Sequence, residues 1–315
     1  MFYSVLRFAI VLLVFQALLP HAAAQAARDR VVEKGDAGQL ASERSAEVET
    51  EIWCAQLARR LRSVDAQSCR MWKPRPAKVR SAQGHPLMTI APETRSAADQ
   101  TPVRIFLIGG MHGDELASVS ILFRWMPFLK EEEARAYVWR IAPLANPDGL
   151  FATPPRRVNG NGVDLNRNFP TPDWKRDALA YWQRHTRSDP RRYPGKAAQS
   201  EPETRWLLNE IATFRPDVII SVHAPYDLLD YDGPPKTLPR RFGRLNLNQL
   251  GVYPGSLGNF GGVFKNIPVI TIELSHANVM PSAQEQRRIW DDMIHWIQRH
   301  ILPVRNVRND ETRPR

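Results

Sequence analysis

The feature of this sequence that most constrains its fold is an alternation of short apolar runs with longer amphipathic segments. The run Val103 to Ile108 is apolar apart from Arg104 and ends at a Gly-Gly pair, and residues 269–272 form a second apolar run. Continuous apolar runs of this length between turn residues are typical of strands buried on both faces. The sequence therefore predicts an α/β domain with a mixed, largely parallel twisted sheet flanked by helices.

The predicted elements fill most of the chain beyond the first fifty residues. Residues 145–199 are rich in Pro, Asn, Asp and Gly, which predicts a long loop region with one helix inside it. The predicted strands are 77–81, 86–90, 103–108, 137–144, 217–222 and 269–272, and the predicted helical segments are 47–64, 115–129, 174–183, 200–211 and 283–301.

The N-terminus has the pattern of an export signal. Arg7 precedes an apolar run, Phe8 to Leu19, and small residues follow at Ala22 to Ala24. About twelve apolar residues are too few to span a bilayer. We expect cleavage after residue 24, a periplasmic or secreted protein and no stable membrane anchor, with an uncleaved anchor as the alternative.

Charge and cysteine content narrow the choice of partners and compartment. The formal net charge is +10, but the basic residues are scattered and no basic motif interleaved with aromatic residues occurs, so we expect no nucleic-acid partner. An anionic cell envelope and a merely solvated basic surface both fit this charge. Cys54 and Cys69 are the only cysteines, and export favours a disulfide between them. A catalytic thiol is the alternative.

Candidate metal ligands follow two of the predicted strands. His112 and Glu115 come soon after the strand 103–108 with His-x-x-Glu spacing, and His223 follows the strand 217–222. Because ligand-binding groups gather at the carboxyl ends of strands in α/β sheets, we expect these side chains to lie together. Two histidines and one glutamate leave an open position on zinc, as hydrolytic sites do. For His223 alone, a hydrogen-bonded core histidine is the alternative.

Two further features suit hydrolysis at such a site. Glu273 ends an apolar strand, where a carboxylate is costly unless it is paired or catalytic, and beside zinc it could take a proton from bound water. The segment 156–169 contains guanidinium groups among many Asn and Gly residues, and such groups stabilise oxyanions or bind carboxylates. The alternatives are a Glu273 held by backbone amides and a solvated basic loop.

Taken together, these motifs resemble the zinc metallocarboxypeptidases. That pattern contains His-x-x-Glu, Asn-Pro-Asp-Gly, Gly-Val-Asp-x-Asn-Arg-Asn, a distant His and a strand-terminal Glu, and all five occur here in order over about residues 77–302. The resemblance implies one zinc ion per chain, bound by His112, Glu115 and His223. It further implies Glu273 as general base and acid, Arg157 as oxyanion stabiliser, Asn166 and Arg167 as ligands of a substrate carboxylate, Asp164 as the residue that orients the first zinc histidine, and Tyr253 as a substrate-capping tyrosine.

Within that family the chain resembles the murein peptide amidases, through His-Gly-Asp-Glu, Asn-Arg-Asn-Phe-Pro, Ser-Glu-Pro-Glu-Thr and His-Ala-Pro. This implies an exported amidase that acts on murein peptides or peptidoglycan stem peptides. It would cleave the bond between γ-D-glutamate and meso-diaminopimelate, with Glu273 activating the zinc-bound water. A general zinc carboxypeptidase, an N-acyl-amino-acid deacylase and a non-catalytic murein-binding protein remain as alternatives.

These inferences give an organisation for the whole chain. We expect a signal peptide at 1–24, a polar leader and helical element at 25–76, a metallocarboxypeptidase-like catalytic domain at 77–305 and a disordered tail at 306–315, with the oligomeric state left open. Asp230 and Asp232 are interpreted as turn-forming acids, and contact with the ammonium group of diaminopimelate is the alternative.

Overall fold

The computed structural model describes residues 43–93 and 102–303. The expected signal peptide, the first part of the polar leader and the tail from residue 306 lie outside these ranges. The chain divides into two compact units, Met1–Glu49 and Thr50–Arg315. In the first unit, residues 43–49 are helical, and all that follows concerns the second unit. Within the described ranges, no helix is long and apolar enough to cross a membrane.

The second unit alternates helices and strands along the chain. The helices are α1 (50–60), α2 (Ala66–Met71), α3 (Leu116–Trp125), α4 (Glu132–Arg135), α5 (Pro147–Phe151), α6 (Trp174–His185), α7 (Pro202–Phe214) and α8 (Ala283–His300). The strands are β1 (Arg75–Arg80), β2 (Pro86–Thr89), β3 (Arg104–Ile108), β4 (Val138–Ala142), β5 (Val218–His223), β6 (Leu228–Asp232), β7 (Arg241–Phe242), β8 (Leu245–Asn246) and β9 (Val269–Glu273).

A five-stranded sheet forms the centre of this unit, in the order β4-β3-β5-β9-β6. The first four strands are parallel and β6 is antiparallel to β9, so the predicted fold class is confirmed. All six residues of β5 are buried, as its apolar sequence predicts for a central strand. Single bridges from Ile90 to Ile141 and from Leu229 to Leu247 cover the two outer strands, which protects the sheet edges.

Each face of the sheet has its own apolar core. On one face, α3 and α8 bury Trp125 and Trp290, and Trp290 stacks on Trp139 with 5.4 Å between ring centroids. On the other face, α7 buries Trp206 against a core that includes Phe106. Helices therefore cover both faces of the central strands.

The segment that contains Asp230 and Asp232 is a strand and not the turn that the sequence predicts. Asp230 and Asp232 belong to strand β6, which pairs along its whole length with β9. Alternation explains the difference, because Leu229 and Tyr231 enter the apolar core while the two aspartates face the opposite side.

A disulfide joins Cys54 of α1 to Cys69 of α2, as the sequence predicts, with 5.7 Å between the two Cα atoms. Both cysteines are buried in a small core that also includes Val119 of α3 and Leu150 of α5. Arg60 reinforces the attachment, since its Nε donates to the carbonyl of Leu150 at 2.8 Å. The disulfide-linked helices therefore pack on the outside of α3 and α5.

Candidate metal centre and cleft

The three predicted metal ligands lie together at the carboxyl end of the sheet. His112 and Glu115 follow β3, and His223 is the last residue of β5. Nδ1 of His112 lies 2.8 Å from Oε1 of Glu115 and 3.2 Å from Nδ1 of His223, and Nδ1 of His223 lies 3.1 Å from Oε2 of Glu115. All three side chains are buried and form one convergent donor set.

This donor set fits a zinc ion in both spacing and chemistry. Ligand atoms about 2.0–2.2 Å from a tetrahedral zinc lie roughly 3.3 Å from one another, close to the separations observed here. Nε2 of His112 lies 3.0 Å from Asp164, and Nε2 of His223 lies 3.0 Å from the hydroxyl of Ser221. Because an ionised carboxylate only accepts, His112 donates through Nε2 and keeps the Nδ1 lone pair for a metal.

Asp164 joins the first histidine to Arg157. Its Oδ2 accepts from Nε of Arg157 at 3.1 Å, while its Oδ1 accepts from His112. Burial alone would raise the pKa of Asp164, but Arg157 and His112 outweigh it and hold the pKa well below its ordinary value. The ionised Asp164 therefore fixes both the orientation of the imidazole and the direction of the guanidinium group. Arg157 also reaches Glu115, with 3.4 Å between Nη1 and Oε1.

Glu273 is the last residue of β9 and lines the same cleft as the three predicted ligands. Its carboxylate is buried, and Oε2 accepts from the backbone N–H of Tyr226 at 3.5 Å. Burial raises the pKa of Glu273 above its ordinary value, against the opposing effect of His223. A carboxylate in this position, held by one long hydrogen bond, retains acceptor capacity for a proton.

Close backbone contact explains the glycine of the first motif. A Cβ atom at Gly113, between His112 and Glu115, would collide with the backbone of Gly149 and Leu150. Asn146 begins α5 by accepting from Gly149 N–H at 2.9 Å, and its Nδ2 donates to the Arg157 carbonyl at 2.9 Å. The Asn-Pro-Asp-Gly motif thus supports the loop that carries Arg157.

The predicted carboxylate-binding pair lines the same cleft. Oδ1 of Asn166 accepts from Leu257 N–H at 2.8 Å, and Nη1 of Arg167 donates to the carbonyl of Asn166 at 2.7 Å. The guanidinium of Arg167 also lies over the ring of Tyr253, 4.5 Å from its centroid. All eight predicted metal, catalytic and substrate-binding residues line this cleft, whose volume is about 220 Å³, whereas the described residues of α1 and α2 do not.

Three cleft residues carry charges that the sequence interpretation did not place there. Asp230 and Asp232 line the cleft from β6, and Arg192 lines it from the loop before α7. Burial raises the pKa of Asp230, and burial together with Asp230 raises the pKa of Asp232 to about 7. The alternation of apolar and acidic residues in β6 indicates that the two aspartates share one face of the strand. The polar Pro-Arg-Arg stretch contains no pattern that would place Arg192 in the cleft.

An α/β sheet that gathers two histidines and two glutamates at its carboxyl edge defines a class of metal-dependent hydrolases. The family model described as zinc carboxypeptidase matches residues 77–239, just over half of the sequence. The chain therefore belongs to the zinc carboxypeptidase family. It is a zinc metallopeptidase, and the convergent His-Glu-His group is the metal-binding candidate among the described residues.

Relatives place the chain within that family. Murein peptide amidase A from Vibrio campbellii is 31% identical over 202 residues, which are 62% of this chain and 77% of the relative. Murein peptide amidase A from Escherichia coli K12 is 36% identical over 121 residues, 38% of this chain and 48% of the relative. Carboxypeptidase A from Helicoverpa armigera has the same fold, with a TM-score of 0.53 at 18% identity, over 70% of this chain and 66% of that one.

Proposed function

We propose that this chain is an exported zinc amidase that hydrolyses the bond between γ-D-glutamate and meso-diaminopimelate in cell-wall peptides. The observation that carries the proposal is the convergence of His112, Glu115 and His223 beside Glu273, in a cleft that Asn166 and Arg167 also line. The relatives support the choice of substrate, since two of them are murein peptide amidases.

The proposed chemistry divides the work among the residues of the cleft. A zinc ion bound by the His-Glu-His group supplies a Lewis acid that polarises the substrate carbonyl and acidifies a water molecule. Glu273 takes the proton of the attacking water and returns it to the leaving amine. Arg157 stabilises the negative charge that develops on the carbonyl oxygen. Asp164 keeps His112 and Arg157 oriented while this happens.

Asn166 and Arg167 bind the free α-carboxylate next to the scissile amide. In a wall tripeptide that ends in diaminopimelate, this carboxylate is free, so a carboxypeptidase clamp suits the substrate. Tyr253 packs on Arg167 and covers the same end of the cleft.

Charge on the remaining cleft wall supports diaminopimelate over a neutral residue. Its far end carries an ammonium group and a second carboxylate. The side chain of Asp232 forms no hydrogen bond or ion pair with another described residue, and Asp230 uses Oδ1 for the N–H groups of Tyr231 and Leu250. We assign the ammonium to these aspartates and the distal carboxylate to Arg192. An ammonium ion between the aspartates would also favour their ionised forms.

The deciding experiment incubates the pure protein with defined murein tripeptides and identifies the products by mass. Release of free diaminopimelate from the tripeptide supports the proposal. Faster removal of ordinary C-terminal residues from α-linked peptides would instead identify a general zinc carboxypeptidase, the second candidate, which the same carboxylate clamp supports. Binding without cleavage would identify a murein-binding protein.

The proposal includes export and the expected division of the chain at residues 24, 76 and 305. The Cys54–Cys69 disulfide supports export, because such bonds persist in oxidising compartments and are rare in the cytosol. N-terminal sequencing of protein taken from the periplasmic fraction tests it. A start near Gln25 is expected, and an intact Met1 in cytosolic protein would contradict the proposal.

A further inference from the structure

The start of α7 holds the loop that carries four residues of the proposed site. Residues 157–167 include Arg157, Asp164, Asn166 and Arg167, and the residues that anchor this segment belong to the Ser-Glu-Pro-Glu-Thr motif at 200–204. None of the motif's residues lines the cleft, so the proposed chemistry leaves the motif without a role.

Asn159 is the first anchor point. It is fully buried, and its Nδ2 donates to Oε2 of Glu201 at 2.8 Å and to Oε2 of Glu203 at 3.0 Å. Its Oδ1 accepts from the N–H groups of Asn161 and Val163, both at 3.1 Å. The side chain therefore closes the turn between Arg157 and Asp164 and ties that turn to α7.

Asn168 is the second anchor point, at the other end of the segment. Its Oδ1 accepts from Glu201 N–H at 3.2 Å, and its Nδ2 donates to the hydroxyl of Ser200 at 3.1 Å. Both ends of the segment 159–168 are thus hydrogen-bonded to the N-terminal end of α7 and the residues just before it. This limits the freedom of Asp164 and of the Asn166–Arg167 pair.

The buried acids around the first anchor point lower the stability of the fold. Asp148, Glu201 and Glu203 are buried together, and none forms an ion pair among the described residues. Burial and the nearby Asp148 raise the pKa of Glu203 to about 7, so keeping it ionised opposes folding at neutral pH. They do not form a metal site either, since the described residues contain only one convergent ligand group, at His112.

We propose that Glu201 and Glu203 are positioning residues that act through Asn159 to hold Arg157 and Asp164 in their working geometry. The inference rests on the proposed function, because it gives these two residues their catalytic and orienting roles. Buried polar networks that specify one arrangement at a cost in stability are known from other proteins. Here the arrangement specified is the separation of Arg157 and Asp164 across one turn.

The test compares Asn159→Ala with Asn161→Ala. Asn161 also donates to Glu201, at 2.8 Å, but its side chain is exposed and closes no turn. We expect Asn159→Ala to lower kcat at least about tenfold while KM changes less than about threefold, because a misplaced Arg157 weakens transition-state binding. Zinc content should stay near that of Asn161→Ala, whose kinetics should match the wild type.

A double variant that exchanges the amide and the carboxylate between positions 159 and 203 tests for rescue. Asn159→Asp places a third carboxylate against Glu201 and Glu203 and should lose more activity than Asn159→Ala. Adding Glu203→Gln to Asn159→Asp restores one amide–carboxylate hydrogen bond in the opposite direction and should recover part of kcat. No recovery, or a kcat of Asn159→Ala within twofold of the wild type, would overturn the proposal.

Hydrogen exchange separates this inference from the proposed function. Amides of residues 157–164 should exchange faster in Asn159→Ala than in Asn161→Ala, while those of β3 and β5 stay unchanged. Faster exchange throughout the sheet would mean a general structural role and would contradict the inference. If the wild type cleaves no peptide, the proposed function fails, and the exchange pattern still decides whether the anchor orders the loop.

Discussion

His223 and Glu273 are paired in register at the carboxyl ends of the neighbouring parallel strands β5 and β9. Fifty residues of sequence separate them, yet one step across the sheet brings a candidate metal ligand beside the carboxylate proposed as the general base. Because both belong to regular strands covered on both faces, their relative position is set by backbone hydrogen bonds rather than by a flexible loop. The expected behaviour of the site follows from this rigidity.

Metal binding should depend on each imidazole. The purified protein should contain about one zinc per chain, and His112→Ala or His223→Ala should lose it, since two remaining donors hold zinc weakly. His276→Ala is the matched control, because His276 is exposed and outside the cleft. Metal analysis decides the matter. Full zinc occupancy in both cleft variants would remove the site.

Glu273 should be needed for turnover and not for metal binding. Glu273→Gln keeps the size of the side chain but cannot accept a proton, so kcat should fall about 10²–10⁴-fold with zinc content unchanged. Glu132→Gln, at an exposed acid on α4, should be as active as the wild type. Steady-state kinetics and metal analysis on the same preparations provide the test, and an active Glu273→Gln would rule out the role.

The charges of Asp232 and Arg192 should determine substrate choice. Asp232→Asn should lower kcat/KM at least about tenfold for peptides ending in diaminopimelate or lysine, because both carry the ammonium group. Arg192→Gln should affect only the diaminopimelate peptide, since lysine lacks the distal carboxylate. Wild-type protein should therefore prefer diaminopimelate to lysine by at least about tenfold.

Controls for this pair come from nearby surface residues. Asp227→Asn changes an exposed acid on the same chain segment, and Arg184→Gln changes an exposed arginine of α6. Neither should alter kcat/KM for either peptide. Equal turnover of the two peptides by the wild type would argue against the assignment of Arg192 and favour the general carboxypeptidase.

The disulfide should stabilise the fold without supporting the metal site. Replacing Cys54 and Cys69 together with alanine should lower the free energy of unfolding by about 2–4 kcal/mol, as expected when a loop of this length is no longer closed. Zinc content should not change, because no described residue of α1 or α2 lines the cleft. Denaturant unfolding and metal analysis check both statements. Two titratable thiols in the native protein would contradict the bond.

The buried Glu203 should make stability fall as pH rises. Its pKa is raised from 4.5 to about 7, so between these values the folded state holds the proton more tightly than the unfolded state. The free energy of unfolding should therefore lose roughly 3 kcal/mol from this group over that window and stay level above it. Glu203→Gln should make the decline shallower in denaturant unfolding measured at several pH values, and the raised pKa of Asp232 should account for part of what remains. An identical slope in both proteins would show that Glu203 is not the source.

Part of the candidate site could be predicted from the sequence because its residues follow strands that have a clear apolar pattern. His223 and Glu273 end apolar runs, and the end of a parallel strand can be located from its composition alone. The turn interpretation of Asp230 and Asp232 was wrong because β6 is an edge strand, short and half polar, whose pairing with β9 involves residues about forty positions away. The position of Arg192 in the cleft could not be predicted for a related reason, since contacts with distant parts of the chain determine where a loop side chain lies.

Local sequence thus determined the α/β class, the central strands, the disulfide partners and the residues of the candidate metal site, because each depends on composition or on short motif spacing. Only the tertiary structure decided which polar groups surround those residues. The contacts of Asn159 with Glu201 and Glu203, and the aspartate-lined wall of the cleft, join segments about 40 or more positions apart. Such contacts depend on how helices and strands pack, and no periodicity along the chain encodes that packing.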